Sequence, residues 1–159
     1  YPLLTAIFQY RLYQVLTWIT SASMVRDVDT QNVRRELGFN TVWVVEHHFR
    51  DGRSASPCSE AILGGLALST KNIKMGFGVT LMPFGFIHPA RVAEKVATVD
   101  ILSRGRVEWG TGRSTPMEQK AFGVPTDDTS REQWREAIEI VVNMWEKERF
   151  SYESPNLSF

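Results

Sequence analysis

From residue 29 onward the chain alternates short runs rich in β-branched and aromatic residues with longer stretches of helical period. That alternation constrains the fold most, because strands separated by helices pair in parallel through right-handed crossovers. Thr41-Val42-Trp43-Val44-Val45 is apolar on both faces, the pattern of a strand buried in a parallel sheet. Residues 73–82 read as a second strand with Gly76 and Gly78 in its interior, and residues 106–109 as a short third strand closed by Gly110. Residues 29–37 read as a short helix ended by Gly38, which accepts a positive φ. Ser59 can cap a second helix reaching Thr70, with Ala61, Ile62, Leu66, Ala67 and Leu68 as its apolar residues. Pro89 suits the first turn of a third, which spaces Val92, Val96 and Val99 helically and ends near Leu102. Ser130-Arg131-Glu132-Gln133 fits a capping box, and behind it Trp134, Ala137, Ile138, Val141, Val142 and Trp145 form one apolar stripe. Residues 3–9 can form an opening strand, residues 10–24 show no clean period, and the run after Phe150 has turn chemistry. The chain therefore reads as α/β, either a doubly wound sheet or part of a (β/α) barrel.

Composition narrows the function. Eighteen basic against 18 acidic residues leave a formal net charge of zero, so nothing electrostatic recruits nucleic acid or an anionic membrane. At 43% apolar and 23% charged residues the chain is too apolar for disorder, and 159 residues support roughly one domain. A single cysteine, Cys58, excludes an internal disulfide framework and a thiolate-rich zinc site; it reads as inert, and a reducing cytoplasm suits it. No run approaches the ~18 apolar residues of a membrane helix. The opening Tyr1-Pro2-Leu3 has no basic segment ahead of a long apolar core, so no signal peptide is expected.

Chemistry is expected where the strands end, since parallel α/β folds bind ligands at the carboxyl ends of their strands. The first strand runs into Glu46-His47-His48-Phe49, the second into Pro83-Phe84-Gly85, the third into Gly110-Thr111-Gly112-Arg113-Ser114. In an extended segment neighbours point to opposite faces, so Glu46 and His48 face together and His47 faces away. A metal would need one or two further ligands, and the only other histidine, His88, stands beside a helix-starting proline, so no metal site is assigned. A strand-end histidine suits proton handling instead, because its ordinary pKa is roughly 6.5. Gly110-x-Gly112 is not a dinucleotide fingerprint: Thr115 takes the place of the third glycine and Pro116 follows it. Arg113 nevertheless offers a forked donor to phosphate, and Arg131 lies in a first helical turn, where free N–H groups favour an anion. Either arginine alone reads as a solvated surface ion pair. Gly76 and Gly78 weaken a strand, which either a bulge or a flat ligand against the backbone would account for.

Taken in order, these segments resemble the luciferase-like flavin monooxygenases, a family of (β/α)8 barrels related to bacterial luciferase. The resemblance runs from residue 33 to 147. It is carried by Glu36-Leu37-Gly38-Phe39-Asn40-Thr41-Val42-Trp43 leading into Glu46-His47-His48-Phe49, and by Met75-Gly76 through Pro83. His88-Pro89-Ala90-Arg91-Val92-Ala93-Glu94, residues 100–113 (DILSRGRVEWGTGR) and Phe122-Gly123 complete it. The resemblance implies that His47 is the active-site histidine near the reactive C4a edge of a flavin, with Glu46 beside it. It further implies that Gly78 and Val79 lie under the isoalloxazine ring and that Arg113 and Arg131 hold the FMN phosphate. The implied activity is oxidation of a small organic substrate by O₂ and reduced FMN, the flavin being reduced by a separate reductase. Some members of the wider superfamily use a deazaflavin for hydride transfer instead. A homo- or heterodimer, a cytoplasmic location, and no nucleic-acid or membrane partner complete the expectation.

A closed barrel of this kind takes ~250 residues and eight strands. Residues 1–159 are accordingly expected to be a single partial domain, the N-terminal half of the barrel, with 1–32 atypical. The competing expectation is a non-catalytic or truncated barrel subunit that serves only in dimerisation. An open half-barrel should expose apolar surface, associate with itself, and hold FMN weakly because half the phosphate cradle is missing.

Overall fold

The computed structural model describes residues 40–49 and 56–159. The expected opening strand, the helix over 29–37 and the atypical stretch 1–32 lie outside the described residues. Three strands, β1 (Thr41–Val44), β2 (Lys74–Leu81) and β3 (Val107–Gly112), form a sheet in the order β1-β2-β3 with both pairs parallel. Helices α1 (Ser59–Ser69) and α2 (Pro89–Ser103) connect them, and α3 (Pro116–Ala121) and α4 (Thr129–Glu146) follow. Parallel strands alternating with helices are the arrangement of a segment of a (β/α) barrel.

The core lies between one face of the sheet and the helices. Met75 and Phe77 point from β2 into a cluster built by Leu63, Leu66 and Ala67 of α1, Val92, Val96 and Val99 of α2, and Ala137 and Val141 of α4. Residues two apart on a strand share a face, so Trp43, Gly76 and Gly110 fall on the opposite side. Among the described residues no helix covers that side, which corrects the expectation that β1 is buried on both faces. Val42 and Val44 pack on the core, whereas Trp43 is 53% exposed and Val45 41%.

The strand glycines have two structural causes. A methyl group on Gly76 would come 2.2 Å from the Trp43 ring, so this glycine makes room for an indole lying across the strand. After Phe77 the register slips: three residues of β2 lead to Thr80 while two of β3 lead from Trp109 to Thr111, a bulge at Gly78-Val79, whose peptide bond is cis. β3 does not close at Gly110, as the sequence pattern suggests, but continues to Gly112. A side chain at Gly110 would stand 2.6 Å from the Phe77 carbonyl oxygen, and one at Gly112 2.5 Å from Val79 Cγ2. Here glycine allows backbones to approach and does not mark a turn.

The helix starts also differ from expectation in informative ways. Pro89 is at the first position of α2 as anticipated, and His88 Nδ1 accepts the Ala90 N–H at 3.1 Å. Cys58 occupies the N-cap position of α1; Ser59 is buried inside the helix and donates its hydroxyl to Glu46 Oε2 at 3.1 Å. Ser130 is likewise inside α4, which starts after Asp128; its hydroxyl donates to the Asp127 carbonyl at 2.8 Å, and no capping box forms with Gln133. The capping box occurs instead at Thr115 and Glu118, with Pro116 opening the six-residue α3. At the other end of the sheet Arg106 ties the layers together. Its guanidinium donates to the carbonyls of Ala67, Thr70, Ile73 and Ser103 and to the Thr70 hydroxyl, at 2.6–3.0 Å.

Candidate active site

Beyond β1 the chain bends at His48-Phe49, and the alternation of side chains persists in its contacts: Glu46 pairs with His48, whereas His47 meets Glu118. Glu46 faces α1 and α2. Its Oε2 accepts the Ser59 hydroxyl and lies 3.4 Å from Lys95 Nζ, while Oε1 lies 3.6 Å from His48 Nε2. Burial pushes the Glu46 carboxyl up, but the contact with His48, the Lys95 charge and the Ser59 hydroxyl outweigh it and hold it below the ordinary range. Lys95 is itself nearly enclosed, 3.6 Å from Glu60 Oε2 and 6.0 Å above the Phe77 ring. The sequence-predicted Glu46 is therefore a fully engaged anion.

His47 turns the other way. Its backbone N–H donates to the Ser56 carbonyl at 3.1 Å, and its ring Nδ1 lies 3.2 Å from Glu118 Oε1. The His47 side chain stays one third exposed, whereas that of Glu118 is wholly buried. Glu118 gathers donors on both oxygens. Oε1 also accepts the His48 N–H at 2.7 Å, and Oε2 accepts the hydroxyls of Ser114 and Thr115 at 2.5 and 2.8 Å and the Thr115 N–H at 3.4 Å. Burial raises this carboxyl, yet the Ser114, His48 and Thr115 hydrogen bonds dominate and bring its pKa down to about 2. Through Glu118, His47 at the end of β1 is linked to Ser114, the residue after Arg113 beyond β3. The pairing of Glu46 with His48, and the opposite heading of His47, follow from strand alternation. Glu118 does not, although Thr115-Pro116-Met117-Glu118 carries the capping-box signature of a helix start.

Arg113 is partly buried. It donates from Nη1 to Ser130 Oγ at 3.2 Å, and its own carbonyl accepts the Gln119 side-chain amide at 2.8 Å. The Ser130 contact brings it to the first turn of α4, which also carries Arg131. Arg131 is half exposed, and its Nη2 reaches Asp128 only at 3.8 Å. Gly78 and Val79 sit in the β2 bulge, between the strands that lead to His47 and to Arg113. Beside His48, the rings of Phe49 and Phe86 gather on Phe122, with His48 itself 4.9 Å from the Phe122 centroid. Among the described residues no group of three or more His, Cys, Asp or Glu side chains is placed to hold a metal, and no helix is long and apolar enough to cross a membrane.

Comparison with known proteins adds the family context. The sequence profile of the luciferase-like monooxygenases matches residues 29–158. The chain is 31% identical over 110 residues to the oxygenase component of a flavin-dependent trigonelline monooxygenase from Acinetobacter baylyi, covering 68% of this chain and 30% of that protein. It is 30% identical over 123 residues to an F420-dependent glucose-6-phosphate dehydrogenase of Kineococcus radiotolerans, covering 74% of this chain and 36% of that one. Among solved structures, the monooxygenase RslO1 of Streptomyces bottropensis superposes with a TM-score of 0.71 at 34% identity, over 78% of this chain and 37% of that chain. The chain thus spans about a third of the length of the curated relatives it matches.

Proposed function

Because the chain belongs to the luciferase-like monooxygenase family, we propose that it forms the N-terminal half of a (β/α)8 barrel oxidoreductase that uses reduced FMN and O₂ to oxidise a small organic substrate. One observation carries this reading. Adjacent parallel strands deliver His47, the Gly78-Val79 bulge and Arg113 to the same end of one sheet, where ligands of such folds bind.

The residues present suit a flavin phosphate. Among the described residues Arg113 commits a single contact, to Ser130, from a guanidinium with five N–H donors, and Arg131 has only a distant, exposed partner. Both stand at the first turn of the 18-residue α4, whose dipole favours an anion. Contrary to the sequence expectation its first N–H groups are not free, since those of residues 129–132 donate to Asp127 and Asp128. An arginine in that turn opposes the helix dipole, and a bound phosphate would offset the conflict. Gly78 presents no side chain over the bulge, which suits a flat ring resting on backbone beside Val79.

When bound, reduced FMN supplies the electrons and activates O₂. The chain's own residues then have distinct tasks. Arg113 and Arg131 hold the phosphate, Gly78 and Val79 support the ring, and His47 handles a proton at its imidazole beside the ring. Glu46 acts in the site by holding the strand-end segment against Lys95 and Ser59, so that the heading of His47 is fixed. A separate reductase is the expected electron donor, a reading supported by the trigonelline relative being named as an oxygenase component. We place the protein in the cytoplasm, as a homo- or heterodimer.

A deazaflavin performing hydride transfer is the second reading, supported by the relative named for F420. FMN and a deazaflavin titrated separately into the chain, with tryptophan quenching as the signal, separate the two. FMN binding is expected, and Arg113→Ala should weaken it roughly ten- to hundredfold, the loss of a charge-assisted contact. Tighter binding of the deazaflavin would favour the second reading. A folded chain that binds neither would leave only the dimerisation role.

A further inference from the structure

We propose that Glu118 is the positioning residue for His47, fixing its neutral imidazole as the Nδ1–H tautomer so that Nε2 carries the lone pair and accepts a proton. The use made of that nitrogen rests on the function proposed above; the tautomer itself does not.

The argument begins with the donors around one carboxylate. Glu118 is fully buried, and its four other hydrogen-bond contacts come from groups that donate: the His48 and Thr115 N–H groups and the Ser114 and Thr115 hydroxyls. Such a shell stabilises the ionised form, and an ionised carboxylate has no hydrogen to give. The 3.2 Å contact between Glu118 Oε1 and His47 Nδ1 can then be a hydrogen bond in only one sense, with the proton on Nδ1. In a neutral imidazole the other nitrogen must be the acceptor. Among the described residues Nε2 of His47 has no hydrogen-bond partner, and the side chain is one third exposed.

A helix cap alone does not explain the geometry. Glu118 closes its own helix with Oε2, through Thr115, and Oε1 is not used there. Oε1 reaches across 70 and 71 positions in sequence to the segment after β1, where it takes the His48 backbone and the His47 ring together. The His48 N–H holds Oε1 in place, and the Ser56 carbonyl holds the His47 backbone. Carboxylate, ring and backbone are thus fixed relative to one another, the arrangement by which a third group orients a base. A proton accepted at Nε2 leaves an imidazolium whose charge faces the buried anion.

The test reads the tautomer directly. Nitrogen-15 NMR of the full chain at about pH 9, where an ordinary imidazole is neutral, distinguishes the protonated from the unprotonated ring nitrogen. We expect wild-type His47 to carry its hydrogen on Nδ1, whereas free histidine prefers Nε2. Glu118→Gln should keep the Nδ1–H form, because its amide oxygen can face the two histidine donors while its NH₂ donates to the Ser114 and Thr115 hydroxyls, giving up only the long Thr115 N–H contact. Glu118→Ala should lose that form, with Nε2–H becoming the major species. A wild-type ring protonated on Nε2 would overturn the proposal, as would an unchanged Nδ1–H signal in Glu118→Ala; the wild-type spectrum decides even if the alanine variant does not fold. Flavin plays no part in the measurement, so failure to bind FMN with Nδ1–H intact counts against the cofactor reading alone.

Discussion

Acidification should withdraw the support that Glu118 gives to the fold, and the size of the effect follows from its surroundings. Its pKa falls from an ordinary 4.5 to about 2, because the Ser114, His48 and Thr115 hydrogen bonds outweigh the cost of burial. At roughly 1.4 kcal/mol per tenfold change in proton affinity, the ionised form contributes about 3 kcal/mol. The pKa is depressed on folding, so the contribution is complete above about pH 4.5 and is lost as pH falls toward 2. At pH 3 about 1 kcal/mol of it should remain. Glutamine stands in for the protonated carboxyl. Urea unfolding of wild type and Glu118→Gln between pH 7 and pH 2.5 should therefore show a difference of about 3 kcal/mol at neutrality that narrows to about 1 kcal/mol at pH 3. Glu46 is also depressed and gives both proteins a further acid loss of the same sign, which cancels in the comparison. A constant difference between the two proteins across this range would refute the account, because it would mean that Glu118 is not ionised against its donors.

Three further outcomes follow from packing. Arg106→Ala should cost about 2–4 kcal/mol in chemical denaturation, since it removes one charged donor from four carbonyls at once; a loss under about 0.5 kcal/mol would mean that water replaces it fully. Gly110→Ala should destabilise by about 1–3 kcal/mol, because the new methyl meets the rigid Phe77 carbonyl. Gly64→Ala, in open space within α1, should instead stabilise by about 0.5–1 kcal/mol, and equal signs for the two would discredit the close-approach explanation. The sheet face bearing Trp43 and Val45, uncovered among the described residues, should drive concentration-dependent association in sedimentation velocity, and a monodisperse monomer at all concentrations would contradict it.

The order of elements was legible because period and composition are local. Val92, Val96 and Val99 announce the inward face of α2, and they are buried there. Where reading failed, the deciding contact came from elsewhere in the chain. The run from Thr41 to Val45 looks two-sided, yet whether its second face is covered depends on a layer that no five-residue pattern reports. Gly110 has the composition of a strand end, but the Phe77 carbonyl beside it makes it a point of close approach. Ser59 and Ser130 have the chemistry of caps, and each lies within its helix and spends its hydroxyl elsewhere, on Glu46 and on Asp127. The site was legible to the extent that strand ends are: alternation separates His47 from Glu46 and His48. Glu118 remained hidden because its helix-capping signature says nothing about where the second oxygen goes.

That second oxygen shows how the fold separates stability from chemistry. At the amino ends of the strands Arg106 satisfies carbonyls from both flanking helices, a closed arrangement that binds the layers together. At the carboxyl ends the polar groups are also linked, but selectively. Glu46 is taken up by Ser59 and Lys95, and Glu118 by Ser114, Thr115 and the His48 backbone. These acids thereby stay ionised with their oxygens satisfied within the chain. Among the described residues the cations Arg113 and Arg131 keep most of their donors free, and the His47 ring keeps Nε2 without a partner. With Glu46 and Glu118 satisfied inside the chain, these cations and one imidazole nitrogen are the groups that the proposed function would use, for an anionic ligand that also exchanges a proton. Asp128, exposed beside Arg131, is the carboxylate such a ligand would have to displace. On the proposed function, burying Glu118 would serve recognition as well as folding, because an outward-facing Glu118 would compete with a phosphate for the same arginines.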